Sequence, residues 1–152
     1  MTDVVDTATR SRMMSGIRGK DTKPEKLIRS GLHRLGFRYR LHGKDLPGKP
    51  DLVLPKSKAV IFVHGCFWHF HDCHLFKMPS SRSDFWRQKL ARNRERDGEH
   101  SAKLTELGWR SLVIWECALK GKERLGDEAV IAKVVDWINS DAGNDEIRGK
   151  PA

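Results

Sequence analysis

Long apolar runs are absent from this 152-residue sequence, and cysteine is scarce, with three residues. No segment approaches the roughly twenty consecutive apolar residues that span a bilayer. The first residues, MTDVVDTATRSRMM, lack the charged start and apolar stretch of a secretory signal. These absences predict a soluble cytoplasmic protein with no membrane partner. Because the cytoplasm is reducing, the cysteines are expected to bind a metal or to be buried as free thiols, and not to form stable disulfides.

Acidic residues are scarce in one part of the chain. Residues 10–49 contain twelve Lys and Arg but three Asp and Glu, so this segment accounts for the whole formal net charge of +9. A localised basic surface attracts polyanions, and a nucleic acid backbone is the commonest such partner. The alternative is a solvated helix face whose charge keeps the protein in solution. We favour nucleic-acid binding because the excess is confined to one segment.

The length is that of one ordinary domain, and we predict a single domain over residues 1–140 with a flexible tail at 141–152. Apolar periodicity and capping residues predict helices at about 8–18, 22–35, 84–107 and 127–138. Alternating or continuous apolar runs predict strands at 37–41, 51–54, 59–63 and 109–115. This order of elements predicts an α/β fold in which helices flank a small mixed β-sheet.

The chemistry is densest in residues 64–74, HGCFWHFHDCH, which hold four of the seven histidines and two of the three cysteines. Structural zinc sites are closed by four Cys or His ligands. Cys66, Cys73 and Cys117, which follows a predicted strand, therefore indicate a zinc site with three thiolates and one imidazole. Burial as a free thiol is the alternative, and it suits Cys117 best. Spacing leaves the fourth ligand open among the histidines at positions 69, 71 and 74.

A closed zinc site has no open position for water, so catalysis would need another centre. Asp51 begins a predicted strand, Glu25 lies on the preceding helix, and the histidines of 64–74 follow a buried strand. An aspartate suits a magnesium ion, which prefers oxygen ligands, and a histidine could deprotonate an attacking water. Taken singly, these residues could equally be a turn residue, a solvated helix residue and a satisfied polar histidine.

Two large apolar side chains, Phe67 and Trp68, stand between the candidate metal ligands. They could lie buried beneath the loop. Alternatively, a metal-braced loop presents them to DNA as an aromatic wedge that unstacks a weakened base step. Basic residues near such a wedge would contact phosphates, and the candidates are Arg10, Arg12, Arg18, Lys20, Arg87, Lys89, Arg92 and Arg94.

Five stretches, in this order and at this spacing, resemble the very short patch repair (Vsr) DNA mismatch endonucleases: TRSRMMSGIRGKDTKPE, LPGKPDLVL, VIFVHGCFWHFHDCHLFK, FWRQKLARNRERD and LGWRSLVIWECAL. The resemblance covers residues from about 6 to 137, and HGCFWH followed by WEC is its most specific part. It implies a monomeric, restriction-endonuclease-like domain similar to the PD-(D/E)XK nucleases, with one structural zinc and a catalytic magnesium.

The activity that the resemblance implies is a nick in one strand, 5′ of the thymine in a T:G mismatch. Such mismatches arise when 5-methylcytosine deaminates, so the nick would initiate very short patch repair. The implied partners are mismatched double-stranded DNA and the mismatch-repair proteins and DNA polymerase that act downstream. The implied location is the bacterial cytoplasm, at the nucleoid.

The resemblance also implies a role for each matching residue. The zinc ligands would be Cys66, His71, Cys73 and Cys117. Magnesium would be held by Asp51 and by the backbone carbonyl of Val63, with Glu25 ordering its waters. His69 would act on the attacking water, and His64 and Asp97 would have supporting roles around the magnesium centre. The DNA-contacting residues would be Phe67, Trp68 and Trp86 from one groove and Met14, with Ile17, from the other.

Two departures from the related patterns stand out. The general nuclease pattern has Glu-x-Lys on the strand after the aspartate, whereas this chain reads Phe62-Val63-His64. Phe70 stands where some relatives have histidine, and we expect little effect because neither zinc binding nor catalysis is assigned there. Two alternatives to the leading hypothesis remain: a restriction-type or general repair nuclease that needs no mismatch, and a zinc-containing DNA-binding module without activity.

Overall fold

The computed structural model describes residues 22–150, which form three α-helices and one five-stranded sheet. The helices are α1 (Lys23–Arg34), α2 (Ser83–Glu106) and α3 (Asp127–Ile138). The strands are β1 (Arg40–Leu41), β2 (Leu52–Leu54), β3 (Ala59–His64), β4 (Arg110–Trp115) and β5 (Asp145–Ile147). Short 3-10 turns, Pro55–Ser57 and Glu116–Ala118, follow β2 and β4.

The sheet has the order β1-β2-β3-β4-β5 and is mixed. β2 runs antiparallel to both of its neighbours, β1 and β3, whereas β3, β4 and β5 are parallel. β3 and β4 are paired along their whole length, from Ala59 opposite Arg110 to His64 opposite Trp115. Both strands therefore end at the same edge and deliver the residues that follow them to one place. The predicted α/β fold with a small mixed sheet and flanking helices is confirmed.

Helices cover both faces of the sheet. On one face, α1 and α3 contribute residues such as Ile28 and Val134 to a core that includes Ile61 of β3. On the other face, Leu104 of α2 contacts a second apolar cluster that includes Phe62. Successive β3 side chains thus enter opposite cores, as expected for a continuous apolar strand that is buried on both faces. None of the helices within residues 22–150 is long and apolar enough to cross a membrane.

The start of α1 fixes the position of Glu25. Thr22 is the N-cap, and its hydroxyl oxygen accepts a hydrogen bond from the Glu25 amide at 3.4 Å. Pro24 lies in the first turn, where its missing N–H costs no helical hydrogen bond. The cap places Glu25 on the inner side of the helix, and the residue is 2 % exposed.

The segment at 141–152, predicted to be a flexible tail, contains a short strand. Asp145–Ile147 form β5, which pairs in parallel with β4, and Ile147 joins the larger core. The sequence does not predict this strand, because a polar stretch with one apolar side chain carries no periodicity. The predicted strand at 37–41 is also shorter, since only Arg40–Leu41 pair. The predicted helix at 8–18 lies outside the described residues, together with Met14, Ile17, Arg10, Arg12, Arg18 and Lys20.

Candidate functional site

The loop that follows β3 carries most of the candidate site residues. Its first part turns back on itself through backbone hydrogen bonds from His69 to Gly65 and from His71 to Cys66. Phe70, between the two histidines, has a left-handed φ of 54°, which is uncommon for a residue with a large side chain. This turn lets His69 and His71, two residues apart, face different groups.

One of these groups is the metal cluster, which we define as Cys66, His71, Cys73 and Cys117. The ligand atoms of all four residues lie within 4.8 Å of one another. Ligands of a tetrahedral zinc ion lie about 3.8 Å apart, given Zn–S distances of about 2.3 Å. His71 Nδ1 is 3.7 Å from Cys117 Sγ, within that range. The cluster could hold a metal ion, and it joins the β3 loop to the end of β4.

Burial dominates the acid–base chemistry of the metal cluster. Burial raises the pKa of the Cys66 and Cys117 thiols and lowers the pKa of His71 to about 4. Each shift favours the neutral side chain in a dry environment, and a bound cation would reverse that preference for the thiols. The His71 ring stacks on Trp115 with ring centroids 3.8 Å apart. This stacking contact orients the imidazole within the metal cluster.

The other two candidate histidines face away from the metal cluster. His74 Nδ1 lies 3.3 Å from Glu123 Oε1. His69 Nδ1 lies 2.6 Å from Asp97 Oδ2, on α2. Spacing had left positions 69, 71 and 74 open, and the structure brings His71 alone among them to the three cysteines within the described residues.

His64 and His69 form an imidazole pair. Their rings stack with centroids 3.7 Å apart and an interplanar angle of 5°. His64, at the end of β3, is 8 % exposed, and burial, with the nearby His69 and His71, lowers its pKa well below the usual value. His64 is therefore a buried, neutral ring on which the His69 ring stacks.

The carboxylate cluster, defined as Glu25, His42 and Asp51, lies beside the start of β2. Its candidate ligand atoms lie within 4.8 Å of one another. Asp51 Oδ2 accepts a 2.6 Å hydrogen bond from the Val63 amide, so the cluster lies next to β3. Burial raises the pKa of Asp51 to about 6; the Val63 amide, His42 and His69 oppose this rise, and Glu25 adds to it. Because Val63 directly precedes His64 in β3, the hydrogen bond from the Val63 amide brings the carboxylate cluster near the imidazole pair.

His42 was not among the predicted site residues. Its Nδ1 lies 3.5 Å from Glu25 Oε1, and its amide donates to the Asp51 carbonyl at 3.0 Å. The residue has a left-handed φ of 54° at the point where the chain leaves β1. A histidine that follows an alternating strand and enters a turn-rich segment is a weak sequence signal, and only the folded chain brings it to the carboxylates.

The predicted wedge residues belong to an aromatic cluster, defined as Phe67, Trp68, Phe76 and Trp86. Phe67 contacts Trp68 and Trp86 edge-on, with ring centroids 5.1 and 5.6 Å apart. It also stacks on Phe76 at 5.9 Å. All four side chains are partly exposed. The cluster connects the loop after β3 to the start of α2. Its rings pack against one another, and part of each remains accessible to solvent.

The predicted phosphate-binding residues on α2 differ in exposure. Arg87, Arg92 and Arg94 are exposed. Lys89 lies over the Trp86 ring, 5.8 Å from its centroid, and lines a cavity of about 460 Å³ between α2 and the sheet. His64, His69 and Asp97 line the same cavity. Positive charge thus adjoins both the aromatic cluster and the imidazole pair.

Comparisons with known proteins find matches to one family of DNA endonucleases. A family model described as DNA mismatch endonuclease Vsr matches residues 2–75. The DNA mismatch endonuclease Vsr of Escherichia coli is 46% identical over 147 residues, which cover 97% of this chain and 94% of that protein. The type II nicking enzyme V.XorIIP of Xanthomonas oryzae pv. oryzae is 46% identical over 136 residues, covering 90% of this chain and 98% of that enzyme. V.NmeAIP, a type II nicking enzyme of Neisseria meningitidis serogroup A, is 48% identical over 122 residues, which cover 80% of this chain and 87% of that enzyme.

Proposed function

The chain belongs to the Vsr family of DNA mismatch endonucleases, and from this membership we propose that it nicks duplex DNA 5′ of the thymine in a T:G mismatch. The lesion is the one left by deamination of 5-methylcytosine, and the nick initiates very short patch repair. Double-stranded mismatched DNA is the substrate, and mismatch-repair proteins and a DNA polymerase act after the nick. The enzyme works as a monomer on the bacterial nucleoid.

The position of His69 is the observation that carries this proposal. One ring nitrogen lies 2.6 Å from the Asp97 carboxylate, and the ring stacks on buried His64. Its loop also supplies ligands to the metal cluster and side chains to the aromatic cluster. A phosphodiester held beside Asp51 would therefore meet the imidazole, the carboxylates and the aromatic surface at the same edge of the sheet.

His69 acts as the general base. An ionised Asp97 only accepts hydrogen bonds, so the proton of the neutral His69 ring lies on Nδ1. Nε2 is then the atom that accepts a proton from the attacking water. The stacked His64 ring holds the plane of the imidazole. General base catalysis of this kind contributes on the order of 100- to 10,000-fold in rate.

The carboxylate cluster fits a hard divalent cation. Asp51 and Glu25 offer oxygen ligands, and the desolvation that raises the pKa of Asp51 to about 6 would be offset by a cation. We assign magnesium to this site, held by Asp51 and by the Val63 carbonyl, with Glu25 ordering its waters. Magnesium bound there would polarise the scissile phosphate and stabilise the leaving oxygen. His42, a nitrogen donor, positions Glu25 and is not a magnesium ligand.

The metal cluster fits zinc. Three sulfurs and one imidazole nitrogen form a closed donor set that zinc prefers and that leaves no position for water. Its role is structural: it fixes the loop that carries His69 and the aromatic cluster. Phe67, Trp68 and Trp86 then enter the duplex at the mismatch, with Met14 of the N-terminal segment reaching it from the other groove.

A nicking assay on end-labelled duplexes tests the proposal. Wild-type protein with magnesium is expected to cut the thymine strand of a T:G duplex once, 5′ of the mispaired thymine. Asp51→Ala protein, and wild-type protein without divalent metal, are expected to bind the duplex but to leave it intact. A chain that binds DNA and never nicks it would instead be the non-catalytic binding module.

A further inference from the structure

We propose that residues 146–150, here called the C-terminal strap, form the outer wall of the metal cluster and control how firmly it holds its metal. In this arrangement Gly149 is a positioning residue for Cys117. The inference rests on the proposed zinc site and extends it to a part of the chain that the sequence predicted to be flexible.

The strap contacts the surroundings of the metal cluster at four points. The Gly149 amide donates to Cys117 Sγ at 3.3 Å, a direct hydrogen bond to a candidate ligand. The Arg148 guanidinium donates to the Asp72 carbonyl at 2.6 Å, between His71 and Cys73. The Lys150 amide donates to the Glu123 carbonyl at 2.7 Å.

A fourth contact reaches the imidazole of the metal cluster. The Trp115 indole nitrogen lies 3.3 Å from Glu146 Oε2 and donates to it, and the same indole stacks on His71. The strap therefore touches Cys117 directly and reaches His71 and Cys73 through single intermediate groups. Outer groups that hold metal ligands in this way typically contribute about 10- to 100-fold to metal affinity.

Close approach explains why a glycine stands at position 149. A Cβ atom added there would lie 2.7 Å from the Cys117 carbonyl oxygen and 2.8 Å from the Glu123 carbonyl oxygen. Both neighbours are backbone atoms, which cannot rotate away as the end of a side chain can. Any larger residue must therefore lift the strap and lengthen the hydrogen bond to Cys117.

The strap is held in place by the sheet. Ile147, within the strap, pairs with Ile114 of β4 and is buried in the larger core. Docking of the strap and tight metal binding are therefore linked. Pairing with β4 positions the strap, and the strap positions Cys117 Sγ through the Gly149 amide. Metal bound to that sulfur would in turn stabilise the docked strap.

Zinc release from purified full-length protein tests the inference. The rate of zinc transfer to a chromophoric chelator is measured for wild type, Gly149→Ala, Arg148→Ala and the control Gly143→Ala. Gly143 lies in the same C-terminal segment, and a Cβ added there meets no atom within 4 Å. Cobalt(II) replaces zinc in parallel samples, because its absorption reports the geometry of thiolate ligation.

We expect Gly149→Ala to release zinc about 10- to 100-fold faster than wild type and to shift the cobalt spectrum. Arg148→Ala, which removes an exposed side chain and one hydrogen bond, should release zinc several-fold faster and test the inference if Gly149→Ala does not fold. Gly143→Ala should match wild type. Wild-type release rates and spectra in both strap variants would overturn the inference while leaving the zinc site intact. Wild-type protein that binds no zinc would overturn both.

Discussion

His69 and Asp97 come from different elements and meet at 2.6 Å, the length of a short charge-assisted hydrogen bond. His69 lies in the loop after β3, whereas Asp97 lies in the middle of α2. The pair connects the loop that carries the metal cluster to the helix that carries Trp86. We therefore place the general base of the proposed reaction at this junction.

Replacement of Asp97 by Asn should remove the orientation of His69 while keeping the shape of the side chain. An amide can donate a proton to Nδ1, which would leave the hydrogen on Nε2 and block it as a base. We expect the single-turnover nicking rate to fall on the order of 100- to 10,000-fold, with DNA affinity nearly unchanged. Glu95→Gln removes the same charge at an exposed position on the same helix, and it should retain wild-type rates. A rate for Asp97→Asn within threefold of wild type would argue against the assignment.

Asp51 should destabilise the folded protein when it is ionised. Burial raises the pKa of Asp51 from 3.8 to about 6, so the folded state binds the proton more tightly than the unfolded state does. The penalty is complete above about pH 6 and disappears as the pH falls toward 4. We expect Asp51→Asn to raise the free energy of unfolding by about 1–2 kcal/mol near pH 8. This is less than the full pKa shift of Asp51 implies, because the Asn side chain accepts a weaker hydrogen bond from the Val63 amide than a carboxylate does.

Urea denaturation in magnesium-free buffer measures this effect. The stability difference between Asp51→Asn and wild type should shrink between about pH 6 and pH 4. Asp45→Asn changes an exposed carboxylate in the same connection between β1 and β2, and it should show no such dependence. A variant at position 51 that is less stable than wild type near pH 8 would contradict the explanation.

Metal content should distinguish the proposed zinc ligands from their neighbours. Cys73→Ser removes one thiolate, and the protein is expected to lose both its zinc and its solubility, because structural zinc contributes directly to folding. His74→Ala alters the adjacent histidine, which faces Glu123, and should retain about one zinc per chain. Elemental analysis of the purified proteins provides the readout. A Cys73→Ser protein that folds normally with zinc bound would rule out this ligand set.

Trp86 should matter more for mismatched than for matched DNA. Stacking of an aromatic ring on a base contributes about 1–3 kcal/mol, which offsets the cost of unstacking the mismatch. Trp86→Ala is therefore expected to weaken binding to a T:G duplex by that amount and to affect a matched duplex less. Leu107→Ala, which truncates an exposed apolar side chain just beyond the other end of α2, is the control. Equal losses for both duplexes would show that Trp86 has no part in mismatch recognition.

Much of the fold could be predicted because the apolar patterns in the sequence match the residues that the folded chain buries. The apolar runs at 59–63 and 109–115 became β3 and β4, and the amphipathic stretch from Asp127 became α3. β5 had no such pattern. It forms because β4 offers a free edge and because Asn144 accepts a hydrogen bond from the Ser111 amide, 33 residues earlier.

The candidate site could be predicted as a set of residue types but not as a geometry. Spacing indicated three thiolates and an imidazole, yet the choice among histidines depends on a left-handed turn at Phe70 that the sequence does not specify. His42 was missed because its partners, Glu25 and Asp51, lie on two other segments. Such contacts depend on long-range packing, whereas sequence patterns report local structure.

A competition nicking assay tests the central proposal most directly. One reaction contains equal amounts of three duplexes that differ at a single pair: T:G, C:G and 5-methylcytosine:G, each with a different label on each strand. We predict a magnesium-dependent nick in the thymine strand of the T:G duplex, 5′ of the thymine, at a rate on the order of 100-fold or more above that of either matched duplex. Equal cutting of the matched duplexes would contradict the account.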